Sequence, residues 1–238
     1  MKIALIGYGK MGKAIEEIAL KRGHEIVLKI DEHNATDFNA ENIGNAAVAI
    51  EFTGPGSAFG NVMKCLRFKI PVVCGSTGWL QHWPEVAALC GQQQGALVYA
   101  SNFSVGVNIF FEVNKKLAAL MEPHPDYKIN LTEIHHAQKQ DAPSGTAVSL
   151  AEQILEEVSR KTNWVNHHSD NYNELEIISE RIDPAPGTHK VKYSSAVDDI
   201  EIIHTAHNRT GFATGAVLAA EFITGHTGIF GMKEVIGL

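Results

Sequence analysis

The stretch "KIALIGYGKMGKAI", residues 2–15, decides the fold of the first part of the chain. It opens with an apolar run, residues 2–6, that is typical of a short buried strand. Three glycines follow, Gly7, Gly9 and Gly12, in a G-x-G-x-x-G pattern. Apolar residues then recur at helical spacing. The stretch therefore predicts a strand, a tight glycine turn and a helix in direct succession.

The glycines have separate physical roles in such a turn. Gly7 permits the tight turn, Gly9 lets the backbone approach a pyrophosphate, and Gly12 lets the helix pack closely on the strand. The helix N-terminus adds unpaired N–H groups and a partial positive charge. Asp31 follows the next apolar run, residues 25–30, where a carboxylate can accept hydrogen bonds from ribose hydroxyls. A glycine turn without a ligand is the alternative, but the full set of parts favours a dinucleotide site.

Strand and helix patterns alternate through the first hundred residues, which predicts an α/β fold with a parallel sheet covered on both faces. The predicted strands are residues 2–6, 25–30, 46–52, 70–75 and 96–101, and the predicted helices include 57–68 and 84–94. The pattern changes after residue 103. It predicts helices over 107–121 and 147–160, strands over 127–136, 175–179, 190–194 and 200–205, an irregular loop over 163–173, and a helical tail from 211.

Composition narrows the function classes. Of the 238 residues, 45% are hydrophobic, so a packed core is expected, and the formal net charge of −7 argues against nucleic acid as the main partner. No apolar run approaches the ~20 residues of a membrane helix, and the N-terminal run is too short for a secretory signal. Cys65, Cys74 and Cys90 form no C-x-x-C pair, which indicates free thiols in a reducing cytoplasm rather than a catalytic cysteine.

A second candidate site lies in "EIHHAQKQDAPSGTA", residues 133–147. A metal site would use Glu133, His135 and His136, but successive strand side chains point to opposite faces, so we expect no metal. A nucleophile site would use Ser144 with a histidine base, but the strand-to-helix G-x-S-x-G elbow is missing. Both alternatives are therefore disfavoured.

An anion site fits this stretch better. Ser144, Gly145 and Thr146 precede the predicted helix, where backbone N–H groups and hydroxyls can hold a carboxylate. Lys139 adds a positive donor nearby, and a histidine beside it can exchange a proton near neutral pH. The alternative is a solvated loop that caps a helix.

These residues resemble one family closely. "EIHHAQKQDAPSGTA" is similar to the signature of the 4-hydroxy-tetrahydrodipicolinate reductase (dihydrodipicolinate reductase) family, of the diaminopimelate route to lysine. Further similar motifs follow in the family's order: "GYGKMG", "FTGP" (residues 52–55), "CGSTGW" (74–79), "ASNFSVGVN" (100–108), "HNRTGFATGAV" (207–217) and "GIFGMKEV" (228–235). The resemblance spans the whole chain.

The resemblance implies a Rossmann-type dinucleotide-binding domain, residues 1–103 plus 210–238, and a mixed α+β domain, residues 104–209, for substrate binding and oligomerisation. It implies His135 and Lys139 as catalytic residues. It implies substrate binding by His136, Ser144, Gly145, Thr146 and Arg209. It implies cofactor binding by Gly7, Gly9, Lys10, Met11, Gly12, Asp31, Gly75, Ser76, Thr77, Ala100, Ser101, Asn102 and Phe103. The implied partners are a small-molecule dicarboxylate substrate and further copies of the chain in a homotetramer.

The chain departs from the family pattern in two respects. It is short, with compact segments after Asp31 and in the second domain. No arginine follows Asp31 to meet a 2′-phosphate, so NADH is expected to be preferred or used alongside NADPH. Two rival hypotheses remain: another amino-acid or sugar-derivative dehydrogenase on the same plan, and an NAD(H)-binding sensor without turnover.

Overall fold

The computed structural model describes residues 1–208 and 210–238. The chain divides into two compact units, one made of Met1–Val105 with Thr210–Leu238 and the other of Gly106–Arg209. Within the described residues, no helix has both the length and the apolar character needed to cross a membrane.

The first unit is built around a six-stranded sheet. Its strands are β1 (Lys2–Ile6), β2 (Glu25–Ile30), β3 (Val48–Glu51), β4 (Val72–Cys74), β5 (Ala96–Tyr99) and β11 (Gly228–Phe230). Its helices are α1 (Lys10–Lys21), α2 (Ala40–Ile43), α3 (Pro55–Arg67), α4 (Trp83–Gln92), α7 (Thr210–Ile223) and α8 (Met232–Ile236).

The strand order of this sheet is β11-β5-β4-β3-β1-β2, and every pairing is parallel. The α/β fold predicted from the sequence is confirmed. Because the chain moves from β1 outward to β2 and then to β3 on the other side, the strand order reverses at β1. In open α/β sheets such a reversal opens a crevice at the carboxyl ends of the strands.

Apolar cores lie on both faces of the sheet, which explains why β1 is a continuous apolar run. Ala4 and Ile6 belong to one buried cluster, and Ile3 and Leu5 belong to the other. All four side chains are at most 1% exposed. Because strand side chains alternate between the two faces, β1 packs into both cores. This packing fixes the position of the glycine turn that follows β1.

The three cysteines are buried in the first unit and form no disulfide. Burial raises the pKa of the Cys65, Cys74 and Cys90 thiols. A thiol with a raised pKa is a poor nucleophile. None of the three has the environment of a catalytic cysteine.

The second unit contains a five-stranded mixed sheet. Its strands are β6 (Lys128–His135), β7 (Asn163–Val165), β8 (Glu174–Arg181), β9 (Thr188–Ser194) and β10 (Asp199–Thr205), and its helices are α5 (Val105–Met121), which begins at the unit boundary, and α6 (Gly145–Glu157). The strand order is β10-β9-β6-β8-β7. β6 pairs parallel with β8 and antiparallel with β9.

Some element predictions were wrong in the second half of the chain. The region predicted as a loop over 163–173 begins with strand β7, and β8 continues to Arg181, beyond the predicted end at 179. The tail carries strand β11 and helix α8 after its predicted helix. These pieces are three to eight residues long, and β7 and β11 form by pairing with distant strands, β8 and β5. Local periodicity does not contain that information.

Candidate functional site

A cavity of about 790 Å³ lies at the carboxyl ends of β1, β2 and β3, where the strand order reverses. It is lined by Ile6, Gly7, Tyr8, Gly9, Ile30, Asp31, Glu32, His33, Ala35, Phe38, Phe52, Thr53, Gly54, Pro55, Gly56, Ser57, Asn61 and Lys64. This volume falls within the usual range for cofactor and small-molecule sites. Three residues predicted for cofactor binding, Gly7, Gly9 and Asp31, line it.

The glycine turn has the geometry that a phosphate cradle needs. Gly7 has φ +99°, and a Cβ there would lie 2.2 Å from the Phe52 carbonyl oxygen. A Cβ on Gly12 would lie 2.4 Å from the Gly7 carbonyl oxygen, so close helix–strand packing requires glycine. At Gly9 nothing lies within 4 Å of a Cβ position. The open space at Gly9 and the start of α1 at Lys10 and Met11 fit a dinucleotide pyrophosphate.

Asp31 lies exposed at the end of β2, where its carboxylate accepts a hydrogen bond of 2.8 Å from the His33 backbone N–H. Lys64, on α3, lines the same cavity and is the one lysine or arginine among its described lining residues. The Lys64 ammonium lies 5.0 Å from the centre of the Phe38 ring. Lys64 was not among the predicted cofactor residues, because it lies far from Asp31 along the chain.

The predicted cofactor residues after β4 and β5 lie outside the lining of this cavity. Ser76 is buried, and its hydroxyl accepts a hydrogen bond of 2.9 Å from the Thr53 backbone N–H. A Cβ on Gly75 would collide with the Phe52 ring, and the Phe52 and Phe103 rings lie 5.6 Å apart. These contacts support the loop after β3. The remaining residues of this predicted set are the exposed Thr77 and Ser101 and the half-buried Ala100 and Asn102.

A buried carboxylate, Glu51, organises that loop and was not singled out from the sequence. Glu51 is fully buried at the end of β3. It accepts hydrogen bonds from the Thr53 backbone N–H at 3.1 Å, from the Thr53 hydroxyl and from the Asn61 amide at 3.3 Å, and the Cys74 thiol lies 3.2 Å from its other oxygen. Thr53 and Asn61 are both cavity residues, so Glu51 fixes one wall of the cavity.

The second candidate site forms at the end of β6. Burial alternates along this strand, with Glu133 and His135 buried and His136 partly exposed. The predicted opposite orientation of His135 and His136 agrees with this pattern. The Glu133 carboxylate makes a short hydrogen bond with Nδ1 of His135. An ionised carboxylate only accepts hydrogen bonds, so Nδ1 carries the proton and Nε2 is the second, chemically available nitrogen.

Arg181 lies beside this pair because β8 is in parallel register with β6, with Arg181 opposite His135. Its Nη1 lies 3.0 Å from Glu133 Oε1. Burial by itself would raise the pKa of Glu133, but hydrogen bonds from His135, Ser179 and Arg181 outweigh burial and lower that pKa to about 2. Glu133 therefore stays ionised at neutral pH. Arg181 was not among the site residues predicted from the sequence.

The loop after β6 carries Lys139 and leads into helix α6. The Lys139 ammonium contacts both carboxylate oxygens of Asp141 at 2.8 Å, and this contact lowers the pKa of Asp141. Ser144 is buried and caps α6 by accepting a hydrogen bond of 3.2 Å from the Ala147 backbone N–H. Gly145 is exposed and Thr146 half-buried in the first turn of α6. Arg209, also predicted to bind substrate, lies outside the described residues.

His189 on β9 is a further member of this cluster and was not among the site residues predicted from the sequence. It pairs in register with Glu133, and its ring centre lies 5.2 Å from that of His135. Its Nε2 lies 3.0 Å from the Ser144 hydroxyl. Burial, with a smaller effect of His135, lowers the pKa of His189 to about 4. His189 is therefore neutral at pH 7.

Ligand-type atoms of Glu133, His135 and His189 lie within 4.8 Å of one another, which is a spacing that a metal ion could use. This group differs from the metal alternative weighed from the sequence, which used His136. Here Glu133 is already bound by Arg181 and by His135. A cation would have to displace one hydrogen bond and tolerate the guanidinium. The local charge favours the internal pairing over a metal.

Together, the parallel sheet with its order reversal, the glycine turn and the adjoining cavity define a dinucleotide-binding oxidoreductase fold. Residues 1–103 match the N-terminal domain of dihydrodipicolinate reductase, and residues 106–236 match its C-terminal domain. The chain belongs to the dihydrodipicolinate reductase family.

Individual relatives agree with that assignment. The chain is 48% identical to a 4-hydroxy-tetrahydrodipicolinate reductase of Christiangramia forsetii, over 99% of this chain and 98% of that protein. It is 32% identical to the enzyme of the same name from Methanoregula boonei, over 100% and 98%. Its fold is similar to that of a dipicolinate-bound dihydrodipicolinate reductase from Paenisporosarcina sp. TG-14, with a TM-score of 0.79, 22% identity and 99% of each chain covered.

Proposed function

We propose that this chain reduces 4-hydroxy-tetrahydrodipicolinate to tetrahydrodipicolinate with NAD(P)H, with loss of water. One hydride and one proton are added and one water leaves, so the reaction consumes a proton overall. Family membership supports the reaction. The single structural observation that carries the proposal is the hydrogen bond between the His135 imidazole and the buried Glu133 carboxylate. This pair lies a few residues before Lys139 and the N-terminus of α6 in the chain.

The roles of the residues follow from their chemistry. When bound, the cofactor supplies the hydride. His135 moves the proton, since a histidine with one nitrogen fixed by a carboxylate can give or take a proton at the other. Lys139 and the first turn of α6, with Gly145 and Thr146, hold the substrate carboxylates. Ser144 supports this turn from within, because its hydroxyl already caps α6 and contacts His189.

Lys139 must exchange partners to do this. Its ammonium is paired with Asp141, whose side chain is 60% exposed and so is only weakly held. An incoming carboxylate would take the place of Asp141. His136, directly after β6, and Arg209 complete the proposed set of substrate-binding residues.

For the cofactor, we infer that NADH is accepted readily and that NADPH is accepted as well. Asp31 supports the ribose hydroxyls of NADH and repels a 2′-phosphate. Lys64 lines the same cavity and can offset part of that repulsion. A carboxylate and an ammonium in one cavity support the use of both cofactors without an arginine directly after Asp31.

The assembly and the cellular location are also proposals. The exposed apolar side chains Ile200 and Ile203 lie on β10, the edge strand of the mixed sheet, 37% and 56% exposed. Such an edge is a suitable surface for another copy of the chain, as a homotetramer requires. Unpaired thiols suit a reducing cytoplasm. Light scattering coupled to gel filtration would measure the mass of the assembly.

The test of the function is loss of nicotinamide absorbance with NADH and then with NADPH. The substrate is generated in place from pyruvate and aspartate semialdehyde by its synthase. Rapid oxidation only while the synthase is active supports the reductase. His135→Gln and Lys139→Ala should lower turnover by about 10²-fold or more while NADH affinity changes little.

The control variant is His168→Gln, whose side chain is 84% exposed on the same unit. It should retain normal turnover. Normal turnover in the double variant of His135 and Lys139 would contradict the assigned roles. Binding of NADH without any substrate-dependent oxidation would instead favour the sensor hypothesis.

A further inference from the structure

A fully buried carboxylate, Glu133, connects two of the groups in the second site. One of its oxygens makes the short hydrogen bond to Nδ1 of His135, and the other lies 3.0 Å from Nη1 of Arg181. Glu133 itself has no exposed surface. A carboxylate buried in this way is stable only when its oxygens are bound, so the three side chains form one unit.

Arg181 extends the unit to the loop that carries Lys139. Its Nη2 donates to the Asp141 carbonyl at 2.8 Å, and its Nε lies 3.4 Å from the Lys139 carbonyl. The rigid fork of a guanidinium fixes the direction of each of these bonds. One arginine therefore ties the loop of Lys139 to the same carboxylate that holds His135.

We propose that Glu133 and Arg181 are positioning residues for the reduction: Glu133 holds His135 with Nδ1 protonated and Nε2 available, and Arg181 holds Glu133 and the 139–141 loop in register with it. The inference rests on the proposed roles of His135 and Lys139. It adds two residues that act through His135 and the loop of Lys139. From the sequence, Glu133 was considered only as a metal ligand, and Arg181 was not among the predicted site residues.

The charges around His135 make the proposal specific. Glu133 on the same strand is negative, and Arg181 on β8 is positive. His189 on β9 is neutral at pH 7, and Lys139 and Asp141 in the following loop pair with each other. Removing Glu133 should therefore make protonated His135 less stable, and removing Arg181 should make it more stable.

The experiment compares Glu133→Gln and Arg181→Gln with the wild-type chain in kcat, KM and pH profile, after circular dichroism and NADH affinity have verified folding. Both variants should lower kcat about tenfold or more. The pH at which activity falls on the alkaline side should move down by about one unit in Glu133→Gln and up in Arg181→Gln. Glu133→Asp should restore part of the kcat.

The matched control is Glu122→Gln, which removes an ion pair of 3.0 Å with Arg160 elsewhere in the same unit. Its kcat and pH profile should stay those of the wild type. A merely structural role for Glu133 and Arg181 would not move the alkaline limb in opposite directions.

An unmoved alkaline limb in either folded variant overturns the proposal. If Glu133→Gln fails to fold, Arg181→Gln decides alone, because it leaves the hydrogen bond between Glu133 and His135 in place. An upward shift of the alkaline limb in Arg181→Gln then supports the proposal, and no shift overturns it. A wild-type chain that does not oxidise either cofactor would instead refute the reductase function itself.

Discussion

Nε2 of His189 lies 3.0 Å from the hydroxyl of Ser144, and this contact joins strand β9 to the capped start of helix α6. Nδ1 of the same ring is buried and has no hydrogen-bond partner among the described residues. A protonated imidazole would need a second acceptor that this environment lacks. Burial, with a smaller effect of His135, lowers the pKa of His189 to about 4.

The first prediction concerns acid stability. The pKa of His189 is lower in the folded state than the ordinary value of about 6.5, so the unfolded state binds the proton more strongly. The free energy of unfolding that neutral His189 contributes is fully present above pH 6.5 and is lost as the pH falls towards 4. The free energy of unfolding, measured with urea, should be lower at pH 5 than at pH 7, and His189 should contribute about 1–2 kcal/mol of this difference.

His189→Gln should lose less free energy of unfolding between these two pH values than the wild type. His168→Gln, altered at an exposed histidine, should behave as the wild type. An equal loss in His189→Gln and the wild type would show that other groups dominate the acid response.

The second prediction concerns cofactor choice. Lys64→Ala should lower kcat/KM for NADPH about tenfold or more and leave kcat/KM for NADH nearly unchanged, because only NADPH carries the 2′-phosphate that the ammonium would meet. Steady-state rates with both cofactors measure this directly. Lys21→Ala is the control, since Lys21 pairs with Glu17 on the exposed side of α1. Equal losses for the two cofactors would place Lys64 away from the 2′-phosphate.

The third prediction concerns Gly187, which has φ +154° and lies against His135. A Cβ there would lie 3.0 Å from Nε2 of His135, the nitrogen proposed to move the proton. Gly187→Ala should therefore lower kcat about tenfold and destabilise the fold by about 1–3 kcal/mol through backbone strain. NADH affinity should not change.

Gly91→Ala in helix α4 is the matched control, because nothing lies within 4 Å of its Cβ position. It should keep full activity and gain up to about 1 kcal/mol of stability. Full activity in Gly187→Ala would mean that Nε2 does not need this open face.

The fourth prediction concerns metals. Since Arg181 and His135 already satisfy Glu133, dialysis against a chelator should leave turnover and melting temperature unchanged. Excess Zn²⁺ should inhibit only weakly at neutral pH, because it must displace a hydrogen bond of Glu133 and tolerate the nearby guanidinium of Arg181. Activity that is lost on chelation and restored by one metal would contradict this expectation and point to Glu133, His135 and His189 as its ligands.

The sequence by itself determined the parts of this protein that depend on neighbouring residues. The motif predicts the glycine turn after β1, because Gly7 and Gly12 lie too close to neighbouring backbone to carry a side chain. The burial of both Glu133 and His135 follows from the two-residue period of strand β6. A helix after Ser144 was also predicted, although α6 begins at Gly145, two residues before the predicted start at 147. Each of these signals lies within a few positions of the residue it describes.

Only the tertiary structure decided which distant residues complete the sites. Arg181 reaches Glu133 because β8 pairs in parallel with β6, and His189 reaches Ser144 because β9 pairs on the other side. Lys64 shares a cavity with Asp31 because α3 packs beside the reversal of strand order. The choice of strand partners depends on packing and hydrogen bonding across the whole sheet, and local periodicity carries no record of it.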